Sequence, residues 1–188
     1  MSEEYYPWGG DFTAVDAKAS VAVVILNIDF IPNATIALYG RLKTENIGIE
    51  KTIANVISNP HIRYVVLCGN DIRGHRSGKS LLCLYQNGIN ENHRIIDAPG
   101  AIPFIENLTE EAINRFRDQV EVIDLIGETN IDRIQQEIKE YSLKVVDSFG
   151  EPYIAIKLKK NAQEDITDKR ALHSKIIIDY KGKVTKRE

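Results

Sequence analysis

Apolar residues along this chain fall into two alternating rhythms, and the alternation predicts a layered fold. Short continuous runs, Val21 to Asn27 and Arg63 to Leu67, are rich in β-branched residues and read as strands buried on both faces. Between them, a segment beginning near Glu45 or Asn46 carries Ile49, Ile53, Val56 and Ile57 at helical spacing. Glu50, Lys51 and Asn55 fall toward its other side, and Asn59-Pro60 stops it. Ser77 to Tyr85 reads as a second helix, ended by Asn87-Gly88. A helix over Glu110 to Arg117 then leads into a strand near Val120 to Leu125. A last helix sets Ile131, Ile134, Ile138 and Tyr141 on one stripe. Strand and helix alternate, so the expected fold class is α/β, Rossmann-like, with a mostly parallel sheet flanked by helices.

Four stretches break the rhythm. Residues 1–19, with Tyr5-Tyr6-Pro7-Trp8-Gly9-Gly10, read as an irregular aromatic arm that packs on the domain or on a partner protein. Phe30 to Gly40 reads as a long connection. Arg94 to Asn107 holds too much Pro and Gly for a helix and too many apolar residues for a solvated linker, so it is expected to cover something apolar. After Gly150-Glu151-Pro152, the runs Tyr153 to Leu158 and Lys175 to Tyr180 read as two strands of a C-terminal β-ribbon. The expected organisation is an arm over 1–19, an α/β domain over 20–150 and a ribbon or extension over 151–188.

Composition narrows the partners. The 188 residues are 43% hydrophobic and 27% charged, enough for one core of ordinary size. A net charge of -3 with both signs interspersed gives no footprint for nucleic acid. Cys68 and Cys83 lack the paired spacing of a zinc or redox motif and read as reduced core thiols of a cytoplasmic protein. The apolar run Val21 to Leu26 is far shorter than the ~20 residues of a membrane helix.

Candidate chemistry gathers in Cys68-Gly69-Asn70-Asp71-Ile72-Arg73-Gly74-His75-Arg76-Ser77-Gly78, which places one histidine between a strand and a helix, where open α/β sheets bind ligands. The helix start is expected to offer unpaired N–H groups to a phosphate, carboxylate or amide. Gly78-Lys79-Ser80 matches the tail of a P-loop. Its first glycine would have to stand where Arg73 stands, and Gly74 comes one residue late, so the phosphate cradle is too short. His75-x-x-Gly78 matches part of the corrinoid signature Asp-x-His-x-x-Gly, with Asp71 four residues upstream of the histidine instead of two.

Three separated blocks carry a resemblance: Lys43-Thr44-Glu45-Asn46-Ile47-Gly48-Ile49-Glu50-Lys51, the Cys68 to Gly78 loop, and Gly100-Ala101-Ile102-Pro103-Phe104-Ile105-Glu106-Asn107. Together they resemble the A subunit of tetrahydromethanopterin S-methyltransferase over about Val21 to Leu125. The resemblance implies a cobamide, of the 5-hydroxybenzimidazolyl type, whose cobalt accepts methyl from N5-methyl-tetrahydromethanopterin and passes it to coenzyme M. His75 is the implied axial ligand of cobalt, with Asp71 and Glu45 as candidate carboxylates to set its tautomer. Gly69, Asn70, Gly74, Ser77 and Gly78 would approach the corrin, Ser77 and Thr44 would donate to its amides beside Asn46, and Gly100, Ala101, Ile102 and Pro103 would lie along its edge. Implied partners are the other methyltransferase subunits, with membrane association through them; a homodimer stays open. The family's C-terminal membrane helix has no counterpart here, which favours a self-contained soluble homologue. The alternative is a cobamide storage, delivery or sensing protein without methyl transfer.

Overall fold

The structure is a computed structural model that describes residues 5–156 and the strand residues 170–173, 176–179 and 184–186. The chain divides into two compact units, Met1–Lys157 and Leu158–Glu188. In the first unit the elements run β1 (Phe12–Ala14), β2 (Val21–Ile25), β3 (Leu38–Arg41), α1 (Ile47–Ser58), β4 (Tyr64–Gly69), α2 (Ser77–Asn87), α3 (Glu110–Gln119), β5 (Glu121–Ile126) and α4 (Ile131–Ser142). The sheet has the order β1-β3-β2-β4-β5, in which β3, β2, β4 and β5 are parallel and β1 is an antiparallel edge.

Period-two geometry divides the central strands between two cores. Ala22, Val24, Val65 and Leu67 pack with Ile49, Ile53 and Ile57 of α1, Leu81 and Leu84 of α2, and Ile113 and Phe116 of α3. Val21, Val23, Ile25, Val66 and Cys68 turn the other way, onto Ile134 and Ile138 of α4. Both faces are therefore covered, as the uninterrupted apolar runs of β2 and β4 require. Cys68 is fully buried, and burial pushes its thiol up to about 12; it donates to the Val24 carbonyl at 3.7 Å. No disulfide joins it to Cys83.

The arm and the long connection contain more order than their sequences suggest. Phe12–Ala14 of the arm is the edge strand β1, and Leu38–Arg41, expected as connection, is β3. A Cβ at Gly40 would lie 2.5 Å from Phe12 Cβ, so the glycine lets the two backbones meet. Upstream, Asn55 accepts the Trp8 N–H at 2.9 Å and donates to the Trp8 carbonyl at 2.7 Å, while Asn59 donates to the Tyr6 hydroxyl at 2.9 Å. Asn55 and Glu50, expected on the outer side of α1, are thus buried. The arm covers Asn55, and the segment after Pro103 covers Glu50.

At the far end, Tyr153–Ile156 forms no strand. Tyr153 donates its N–H to the Ile57 carbonyl at 3.1 Å, and Tyr153, Ala155 and Ile156 pack on the helical core, so their apolar surface is used against α1 and not in a ladder. Lys157 and Leu158 lie outside the described residues. The second unit is a three-stranded antiparallel sheet of β6 (Arg170–His173), β7 (Ile176–Asp179) and β8 (Val184–Lys186), where two strands were expected. Lys175 and Tyr180 lie outside the described residues.

Candidate functional site

Three segments converge beyond the carboxyl ends of the parallel strands: Leu42 to Asn46 after β3, Asn70 to Arg76 after β4, and Gly100 to Asn107. Their meeting point is Glu45. One oxygen of this carboxylate lies 3.1 Å from His75 Nδ1, and the other accepts the Ile102 N–H at 3.1 Å. The Glu45 side chain is 4% exposed, whereas His75 is 58% exposed. A carboxylate only accepts, so Nδ1 carries a proton in this contact, and whenever the ring is neutral its lone pair lies on Nε2. Burial works to raise the Glu45 carboxyl, but hydrogen bonds from its own backbone, from Ile102 and from His75 outweigh it and hold the group below its ordinary value.

Asp71, the other candidate carboxylate, does different work. Its two oxygens accept the Gly78 N–H at 2.7 Å and the Lys79 N–H at 2.9 Å, capping α2 from outside the helix. The N–H groups expected to be open to an anion at this helix start are therefore already satisfied at Gly78 and Lys79. The segment between reaches them through two left-handed residues, Gly74 at φ 97° and Arg76 at φ 45°. A Cβ at Gly74 would meet nothing within 4 Å, so the space beside His75 is open.

Other expected site residues separate into lining and scaffold. Asn70, Gly74, His75, Ala101 and Ile102 are exposed around the loop mouth. Gly69, Ser77, Gly78, Gly100 and Pro103 are buried beneath it. Ser77, expected to donate to a ligand, gives its hydroxyl proton to the Leu42 carbonyl at 3.3 Å. Thr44 accepts the Gly48 N–H at 2.9 Å and Asn46 accepts the Ile47 N–H at 2.8 Å, so both cap α1. The Thr44 hydroxyl proton is left for a further acceptor. Gly100 is the tightest junction, because a Cβ there would lie 2.8 Å from Glu45 Cγ, the His75 carbonyl and Ser80 Oγ alike.

Two features were not anticipated from the sequence: the anchoring by Glu50 and the exposed Ile72, which adds to the expected Ile102. Glu50 accepts the Glu106 and Asn107 N–H groups at 2.5 and 2.8 Å and the Asn107 side-chain amide at 2.7 Å, bolting the Gly100 to Asn107 segment to α1. Ile72 and Ile102, 44% and 59% exposed, present apolar surface on the two segments that meet at Glu45. A cleft of about 260 Å³ continues from Ile102 past Asn46, Ile47 and Phe104. The signal of Ile72 in sequence was an apolar residue in a polar loop, which alone means little.

Among the described residues no three His, Cys, Asp or Glu side chains gather as a metal-holding group. A metal at His75 would take the rest of its ligands from elsewhere, as it does inside a macrocycle. An open, partly apolar surface with one lone-pair nitrogen fits a flat macrocyclic group. No helix among the described residues is long and apolar enough to cross a membrane.

The profile of the MtrA family, described as the A subunit of tetrahydromethanopterin S-methyltransferase, matches residues 1–166. The chain is 46% identical over 153 residues to a Methanosarcina barkeri protein named as the A subunit of the putative methyltransferase Mtx, covering 80% of this chain and 77% of the relative. It is 42% identical over 160 residues to the A1 subunit of tetrahydromethanopterin S-methyltransferase from Methanothermobacter thermautotrophicus, covering 83% of this chain and 67% of that one. The A subunit of the same enzyme from Methanohalophilus mahii is 40% identical over 160 residues, covering 83% of this chain and 66% of its own length. With matches of this extent, the chain belongs to the A-subunit family of tetrahydromethanopterin S-methyltransferase.

Proposed function

We propose that this protein is a corrinoid-binding methyl carrier, working with separate subunits that bring a methylated tetrahydromethanopterin and a thiol acceptor of the coenzyme M type. The observation that carries the reading is the pairing of an exposed His75 with a buried Glu45. When bound, a cobamide supplies a cobalt centre that takes up and gives away a methyl group. The residues of the chain do the rest. Glu45 keeps the His75 proton on Nδ1, so that Nε2 is the nitrogen offered to cobalt. Its second oxygen, on the Ile102 N–H, fixes the carboxylate and with it the ring. Ile72, Ile102 and the open face of Gly74 accept the flat apolar edge of the macrocycle and exclude water from it. Asn70 and the Thr44 hydroxyl supply polar contacts for its amide side chains. A carrier of this kind leaves substrate recognition to its partners.

The test is the visible spectrum of the protein mixed with hydroxocobalamin and desalted, for wild type and His75→Ala. Retention by both, with a band shift only in wild type, is expected. The substitution also takes one hydrogen bond from the buried Glu45 carboxylate, so the unfolding midpoint is followed alongside and should fall by the equivalent of about 1 kcal/mol, leaving the protein folded. Retention without a His75-dependent shift would leave a cobamide-binding protein whose histidine is no ligand. Absence of retention by wild type would refute corrinoid binding.

A further inference from the structure

Arginine is used economically in this fold, with two exceptions beside His75. Among the described residues, Arg41 pairs with Asp29 and Arg133 with Glu128. Arg63, Arg115 and Arg117 donate to backbone carbonyls, and Arg94 lies over the Phe104 ring. Of the arginines within residues 5–156, only Arg73 and Arg76 have guanidinium groups with no hydrogen bond, ion pair or ring contact, and both residues are exposed. The acidic residue of the loop, Asp71, turns its two oxygens to the Gly78 and Lys79 N–H groups and forms no ion pair with either arginine.

Arg76 adds a second, independent observation. It stands at φ 45°, ψ 45°, a left-handed conformation that glycine adopts freely and a residue with a Cβ adopts at a cost. Gly74, two residues earlier, shows the unstrained choice for such a position. The loop therefore carries a long cation where its backbone favours no side chain at all. Helix capping does not require it, since Arg76 makes no side-chain cap bond.

Guanidinium groups are suited to phosphate, which they bind through paired charge-assisted hydrogen bonds. A cobamide offers the protein neutral amides around its ring and one anion, the phosphodiester of its nucleotide tail. We propose that Arg73 and Arg76 form a phosphodiester subsite that holds this tail beside His75. The inference rests on the corrinoid reading above and adds to it the part of the ligand these two residues select.

The experiment titrates the full chain with aquacobalamin and with diaquacobinamide, which lacks the nucleotide tail, and follows visible absorption. The variants are Arg73→Gln/Arg76→Asn, whose asparagine tolerates the left-handed position, and Arg73→Lys/Arg76→Lys, which keeps the charge. The first should weaken aquacobalamin binding about tenfold while leaving cobinamide binding unchanged. The lysine pair should recover part of that loss, and added salt should shrink the difference. Unchanged cobalamin affinity in the Gln/Asn variant overturns the subsite, as does an equal loss for both ligands. If wild type binds cobinamide but not cobalamin, the subsite is refuted while corrinoid binding stands. If wild type binds neither, corrinoid binding itself is refuted, and the subsite falls with it.

Discussion

Glu45 and Glu50 are buried to the same degree, at 3% and 2% exposure, and fasten the two ends of one segment, yet only Glu45 touches another ionisable side chain. Glu50 is surrounded by donors from Glu106 and Asn107 and is purely a bolt. Glu45 divides itself between the Ile102 N–H and an exposed imidazole. The difference teaches where chemistry sits in this fold: a carboxylate satisfied by backbone and amide N–H groups holds shape, and one shared with an exposed ring sets that ring's proton.

The contrast breaks most visibly at the bolt. Glu50→Ala removes three hydrogen bonds from a buried carboxylate site and should cost about 3 kcal/mol, seen as a lower urea midpoint with unchanged slope. An unmoved midpoint would mean that the segment is held by other contacts. Gly100→Ala tests the junction at the Glu45 end of the segment, since the new methyl would press on Glu45, the His75 carbonyl and Ser80. Overpacking there should cost about 2 kcal/mol and weaken the proposed corrinoid binding as well.

Glu45→Gln sharpens the comparison from the other side. Its stability cost should be smaller, about 1 kcal/mol, because the amide oxygen can still accept from Ile102. Its effect on His75 should be larger: ¹⁵N chemical shifts of the ring are expected to move toward the Nε2–H tautomer. A ring that keeps its proton on Nδ1 would show that Glu45 does not set it. The pH dependence follows in sign. With its folded value below the ordinary 4.5, the Glu45 carboxyl stabilises the fold fully above that pH and ceases to do so as pH falls through its lower folded value. The stability difference between wild type and Glu45→Gln should therefore shrink in acid.

Much of this architecture was legible because it is local. The apolar runs of β2 and β4 and the helical spacing of Ile49, Ile53 and Ile57 are read within a few residues, and they place His75 at the carboxyl end of a parallel sheet. What was hidden depends on contacts distant in sequence. Glu45 lies 30 residues from His75 and 57 from Ile102, so no local motif distinguishes it from Asp71, whose capping role becomes visible only once the loop is folded. Periodicity put Asn55 on an outer face because it cannot see an arm arriving 47 residues earlier in the chain. β3 escaped because its strand is four residues long and contains Gly40, a residue that ordinarily weakens a strand and here admits a neighbour.

Cys68 gives the molecule an internal clock. Its thiol lies in β4, just before the loop that carries His75, and burial keeps it protonated throughout the pH range in which proteins are handled. An alkylating reagent can reach it only when the core between the sheet and α4 opens, so the labelling rate counts openings of that core beneath the site. Any group that ties down the His75 loop should lengthen the interval between those openings, which makes occupancy readable in the dark, from mass alone.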